Sequence, residues 1–296
     1  MDLLRQTLSF LLPYEFSPTV LLLCGSAVLI YVRGICAERR AGRPSGFWRP
    51  LAFLGGVVLI YGVLQTRYDY LSQHMFFIHR IQHLVLHHIG PFLIALSAPQ
   101  ALLRAGLPTP LYRRLLAPCW HHPLVRGFYR TVQQPVIAGI LFVGLIYLWL
   151  TPSLHFYAML NVPLYNLMNW SMAVDGLLFW WLILNPSPRR DRRSAVIGYG
   201  GRIVLLFTTM VPQIAIGAYI ALSRHDLYNV YAICGRLWPI SARLDQQIGG
   251  LMTWIPPAMM SVLGILMVIR LWRRQENLNL LHREGLPAIE PRPPLG

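Results

Sequence analysis

Seven stretches of this chain, near 18–36, 47–65, 73–97, 134–151, 163–185, 202–222 and 249–271, are each long and apolar enough to cross a lipid bilayer. Crossing a hydrocarbon core of roughly 30 Å takes about 20 residues of helix. Inside lipid, only a helix or a closed barrel satisfies every backbone donor and acceptor, and runs of this length are too long for barrel strands. The sequence therefore predicts an all-α polytopic membrane protein. A single domain of seven transmembrane helices is expected over 1–275, followed by a mobile proline-rich tail over 276–296. Composition agrees: 55% of the 296 residues are hydrophobic and 12% are charged, which excludes a water-soluble core. The N-terminus has no basic leader ending in a small-residue cleavage site, so the first run reads as a retained helix.

The formal net charge is +15 and every basic side chain is arginine. These arginines gather in the connections rather than along one stripe, so no nucleic-acid partner is expected. Five follow each of the first, third, fifth and seventh runs, whereas the alternate connections carry few. Under the positive-inside rule the N-terminus lies outside and the C-terminus in the cytoplasm. The four cysteines, Cys24, Cys36, Cys119 and Cys234, form no CxxC pair, so neither redox chemistry nor a cysteine metal site is signalled. No catalytic triad, phosphate loop or paired carboxylates point to an enzyme.

Chemistry concentrates in the third run, HMFFIHRIQHLVLHHIGPFLIALSAP, which places His74, His79, His83, His87, His88 and Arg80 at or near membrane depth. Ionisable groups there are costly and tend to face the bundle interior, where they serve an ion, a cofactor or a partner. His79, His83 and His87 lie four apart and share a helix face, with His79 and His83 nearest the outer surface. Neutral imidazoles suit copper, zinc or iron, and His155 or His225 from an outer connection would complete a set with His79 and His83. Behind these candidates stand His87 and Asp245. Bis-histidine haem is disfavoured, because the other six runs contain no histidine to face this helix. Asp175, in the fifth run, is expected to form a salt bridge or hydrogen bond within the bundle, with Arg80 as a candidate partner. His121 and His122 read as interfacial polar residues and the methionines as packing. Near the last run, Asp245 is placed to cap a helix, and Gly249 and Gly250 allow close helix approach.

Two motifs resemble the CtaG-type cytochrome c oxidase assembly factors. The run HRIQHLVLHHIGP, from His79 to Pro91, is similar to that family's H-x-x-Q-H followed by an apolar stretch and proline. The run DQQIGGLMTW, from Asp245 to Trp254, is similar to its D-Q-x-x-G-G-x-x-M-W, and GLLFWW at 176–181 and the helix count extend the likeness over most of the chain. Carried over by position, His79, Gln82, His83, Asp245, Gln246, Gly249 and Gly250 match. The chain departs at the start of the fifth run, where other members tend to carry a histidine and a Glu-His pair but this one reads YNLMNW, with Tyr165, Met168 and Asn169. The resemblance implies a non-enzymatic assembly factor of the bacterial plasma (inner) membrane. It would work with cytochrome c oxidase subunits or copper chaperones and handle or deliver copper at the outer face, with His79, His83 and His155 as the metal candidates. A membrane copper transport or tolerance protein and a haem-binding redox protein are the alternatives.

Overall fold

Prolines and polar caps start most of the helices, as the missing N–H of an N-terminal proline and the orphan amides of a first turn lead one to expect. The computed structural model describes residues 10, 12, 15–43, 46–185 and 197–283. Helix α1, Pro18–Arg40, is capped by Ser17 and ends on Arg39 and Arg40. Helix α2 spans Trp48–Gln65. The Thr66 hydroxyl then accepts from the Tyr68 amide to open the short α3, Arg67–His74. The histidine-rich segment follows as α4, Phe76–Leu84, a π-turn over Val85–Ile89, and α5, Gly90–Leu96. Beyond α6, Gln100–Gly106, one-turn segments lead to α7, Pro123–Val132. Helix α8, Pro135–Leu150, is capped by Gln134, and α9 is Pro152–Leu160. Asn161 caps α10, Val162–Leu184. The bundle is completed by α11, Tyr199–Leu222, the short α12, Val230–Cys234, and α13, Ala242–Arg283.

Helix makes up 85% of the structure and there is no strand among the described residues. Five helices are long and apolar enough to cross a membrane, and up to seven do so if each of two bent pairs counts as one span. The bends, 77° after Leu96 and 72° after Val132, fall at Ser97-Ala98-Pro99 and at Gln133-Gln134, just before Pro135. The predicted runs coincide with these helices, but α13 continues through Arg283, eight residues into the stretch expected as tail. Arg189, Arg190, Arg192 and Arg193, which support the orientation, and the tail from 284 onward lie outside the described residues.

Leu22, Val58, Ile140, Val204, Leu222 and Leu266 are all exposed, which marks the lipid-facing surface. One buried cluster joins Phe76, Trp149, Tyr165, Met168, Tyr228 and Tyr231 at one end of the bundle. A second joins Phe92, Phe142, Phe179, Trp180 and Leu206 deeper in. Between them α10 lies almost on the π-turn: a Cβ at Gly176 would stand 2.5 Å from the His87 carbonyl oxygen. That carbonyl accepts from the Trp180 indole N–H at 3.2 Å. A single π-turn displaces the side chains after it from the α-helical register, and here it delivers His87 and His88 to the interior.

Candidate functional site

Helix α4 begins at Phe76, and its first orphan amides are satisfied from another helix. The Asp245 carboxylate of α13 accepts from Phe76 N–H at 3.1 Å and Phe77 N–H at 2.9 Å, with Arg236 3.5 Å away. One turn further, His79 and His83 project on the same face, and both are buried. Their Nε2 atoms lie 3.0 Å apart.

What holds them comes from connections outside the long helices. His155 of α9 places Nδ1 2.9 Å from the Trp149 carbonyl and Nε2 2.9 Å from the Tyr231 hydroxyl. The same hydroxyl lies 2.8 Å from His79 Nδ1. A carbonyl can only accept, so His155 Nδ1 carries a proton. Burial, and then the neighbouring Arg80 guanidinium, push His155 down to about 3, so the ring holds that one proton and its Nε2 is an acceptor. Tyr231 must therefore donate to His155, which leaves its oxygen only lone pairs to offer His79. His79 Nδ1 is then the N–H, and in a ring with one proton its Nε2 presents a lone pair toward His83. The relay from Trp149 through Tyr231 thus orients His79 with its basic nitrogen facing the second imidazole.

Around the pair lies a second network. Gln82 donates to the Val63 carbonyl at 2.8 Å and to Asp69 Oδ1 at 2.8 Å, Tyr165 donates to the same oxygen at 2.7 Å, and Gln73 donates to Oδ2 at 3.0 Å. Burial pushes the Asp69 carboxyl up, while the Tyr165, Gln82 and Gln73 donors pull it back. Asn169, also on α10, stands beside His83. Deeper, His87 stacks on Phe142 at 4.1 Å and meets Asp175 Oδ2 at 3.0 Å. That pairing replaces the expected one between Asp175 and Arg80. His87 lies on the helix face packed against α10, whereas Arg80 turns its guanidinium over the Phe76 ring, 5.2 Å from its centroid.

The predicted residues thus separate by place. His79 and His83 touch. His155 reaches them through Tyr231, with ring centroids 5.3 Å from His79. His87 pairs with Asp175, and Asp245 spends both oxygens on amides. His225 is exposed, with its carbonyl rather than its ring engaged. No group of three or more His, Cys, Asp or Glu side chains among the described residues is placed to hold one ion. Tyr231 and Asp69 had no sequence signal, because polar residues in connections are unremarkable by composition.

A match to the cytochrome c oxidase caa3 assembly factor family (Caa3_CtaG) covers residues 29–275. The chain belongs to that family. It is also 28% identical over 262 residues to an uncharacterized protein of Mycobacterium leprae (strain TN), covering 83% of this chain and 37% of that one. The chain thus spans little more than a third of this relative's length. No solved structure matches it.

In this member of the Caa3_CtaG family, the D-Q-x-x-G-G motif serves as scaffolding. Asp245 caps the histidine-bearing helix. Gln246 clamps the loop that carries Tyr228 and Tyr231, accepting from Leu227 N–H at 2.7 Å and donating to the carbonyls of Ile220 at 3.2 Å and His225 at 3.0 Å. Gly249 leaves room for the Phe76 ring, and a Cβ at Gly250 would stand 2.5 Å from the Ala221 amide nitrogen. Tyr165, Met168 and Asn169 are all buried, and Tyr165 and Asn169 border the His79–His83 site.

Proposed function

We propose that the protein is a non-enzymatic assembly factor for a haem–copper cytochrome c oxidase. In this reading it handles copper as cargo at the outer face of the bacterial plasma membrane and works alongside oxidase subunits or copper chaperones. One observation carries the copper reading: two buried imidazole nitrogens 3.0 Å apart, one of them oriented by Tyr231 with its lone pair toward the other. Two nitrogens bound 2.0–2.1 Å from a tetrahedral ion stand about 3.3–3.4 Å apart, so a small opening of the pair, with the His83 proton passing from Nε2 to the unpartnered Nδ1, admits a metal. The Tyr231 contact to His79 Nδ1 is the kind of outer support that fixes a ligating imidazole's tautomer. His79 and His83 would hold the ion. His155 acts through Tyr231, and Asp245 acts by capping the helix. Two protein ligands suit a cargo that must leave again, because a closed four-ligand cage would retain it.

The site lies at the bundle end opposite the arginine-rich connections, which the positive-inside rule assigns to the outer face. A transport reading needs polar groups through the full depth. The imidazoles instead run from His79 to His87 and His88 and stop at Phe92, Phe142, Phe179 and Trp180, beyond which the buried Gln133 and Arg202 are spent on backbone carbonyls, which favours a one-sided site. The test replaces the native copy with His79→Ala/His83→Ala in a bacterium that depends on the oxidase. The expected result is wild-type levels of the variant in the membrane and an oxidase that retains haem but lacks copper. Full copper content in that oxidase would overturn the proposal, and loss of cellular copper uptake would move the protein to the transport class.

A further inference from the structure

Beneath the histidine pair, α4, the π-turn, α8, α10 and α13 line a cavity of about 30 Å³ whose wall includes Arg80, His83, His87, His88, Met172 and Met252. Arg80 is 4% exposed, and its Nε and Nη2 have no protein partner. These are the two parallel donors along one edge of the guanidinium, the fork that ordinarily grips an anion. Nδ1 of His83, His87 and His88 is likewise unpartnered. The surrounding carboxylates are committed elsewhere: Asp175 to His87, Asp245 to Phe76, Phe77 and Arg236, and Asp69 to Gln82, Gln73 and Tyr165. A buried cation at membrane depth without a counter-charge is strongly disfavoured.

We propose that this cavity binds one small monovalent anion of chloride size, held by the Nε–H and Nη2–H fork of Arg80. Size points to a monatomic ion, because a cavity of about 30 Å³ has room for one or two waters. Charge selects it too. An imidazole Nδ1 can offer either an N–H or a lone pair and does not choose between water and an anion, whereas a guanidinium only donates and carries net charge. Met172 and Met252 close the wall with polarizable, uncharged thioethers. An anion here also offsets the repulsion that Arg80 exerts on a cation at His79 and His83, but the site stands on Arg80 and does not depend on the copper reading.

The test is equilibrium dialysis of the purified full chain against radioactive chloride, with gluconate holding ionic strength constant. Wild type is expected to bind one chloride saturably, displaced by bromide and not by sulfate. Arg80→Lys keeps the charge and loses the fork, so it should bind at least tenfold more weakly. Crystals soaked in bromide supply a readout that needs no variant: an anomalous peak within hydrogen-bonding distance of Arg80 Nε. Absence of saturable chloride from wild type, or a bromide peak elsewhere with none at Arg80, overturns the proposal and leaves a cavity that holds water.

Discussion

Replacing Tyr231 with phenylalanine removes one oxygen and strands two ring nitrogens. His79 Nδ1–H loses its acceptor at 2.8 Å and His155 Nε2 loses its donor at 2.9 Å, in a site where Tyr231, His79 and His155 are each 0% exposed. An unsatisfied buried polar group costs about 1–3 kcal/mol, and partial relaxation of the two rings leaves about 2–4 kcal/mol in all. For a chain of 296 residues that lowers the melting temperature by roughly 3–6 °C. With His79 free to take either tautomer, Cu(I) affinity should fall about 10–100-fold, the usual effect of deleting a partner behind a ligating histidine. Tyr228→Phe is the control: its hydroxyl donates to the Leu150 carbonyl at 2.8 Å and contacts no imidazole nitrogen. Cu(I) competition against a chromophoric chelator, run beside thermal melts in detergent, should find both variants less stable and only Tyr231→Phe weakened in copper binding. Equal copper affinity in Tyr231→Phe and wild type would refute the tautomer argument.

Three further outcomes follow from the same geometry. His155 has a folded pKa of about 3 against 6.5 in the unfolded chain, so below pH 6.5 the unfolded state takes up a proton that the folded state excludes. Stability should then fall by up to about 1.4 kcal/mol per pH unit, or about 1.6 kcal/mol between pH 6.5 and 5, with the slope from this group fading out above 6.5. Melts of wild type and His155→Gln across that window should differ in slope. Gly176→Ala drives a methyl into the His87 backbone and should cost about 1–3 kcal/mol, while Gly55→Ala, with nothing within 4 Å, should not destabilise; detergent melts compare them. Asp245→Ala removes the cap of α4 and should cost about 1–2 kcal/mol while leaving copper stoichiometry unchanged in a Cu(I) titration; loss of one equivalent would make Asp245 a ligand instead.

The long helices were legible because mean hydropathy over about 20 residues reports lipid exposure, and helices lie on all seven runs, five long enough to cross alone and two as limbs of bent pairs. The π-turn at Val85–Ile89 was not, since VLHHI is as compatible with an α-helix as with a π-turn, and its close packing against Gly176 is a long-range contact. The short helices α3, α9 and α12 were also invisible, because a polar connection of mixed composition carries no periodic signal. Yet these pieces supply Asp69, His155 and Tyr231. Four-residue spacing was enough to bring His79 and His83 together. The partner of Asp175 was not deducible: His87 and Arg80 are seven residues, about 10 Å of rise, apart on one helix, and only the packing of α10 selects between them.

The central claim is that His79 and His83 form the cargo site. Titration of purified wild-type protein with Cu(I) under anaerobic conditions, alongside His79→Ala and His83→Ala, tests it most directly. One equivalent per wild-type chain, lost in either variant while both retain a cooperative melt, is the result expected. A wild-type chain that binds no Cu(I), or variants that still bind one equivalent with undiminished affinity, would contradict it.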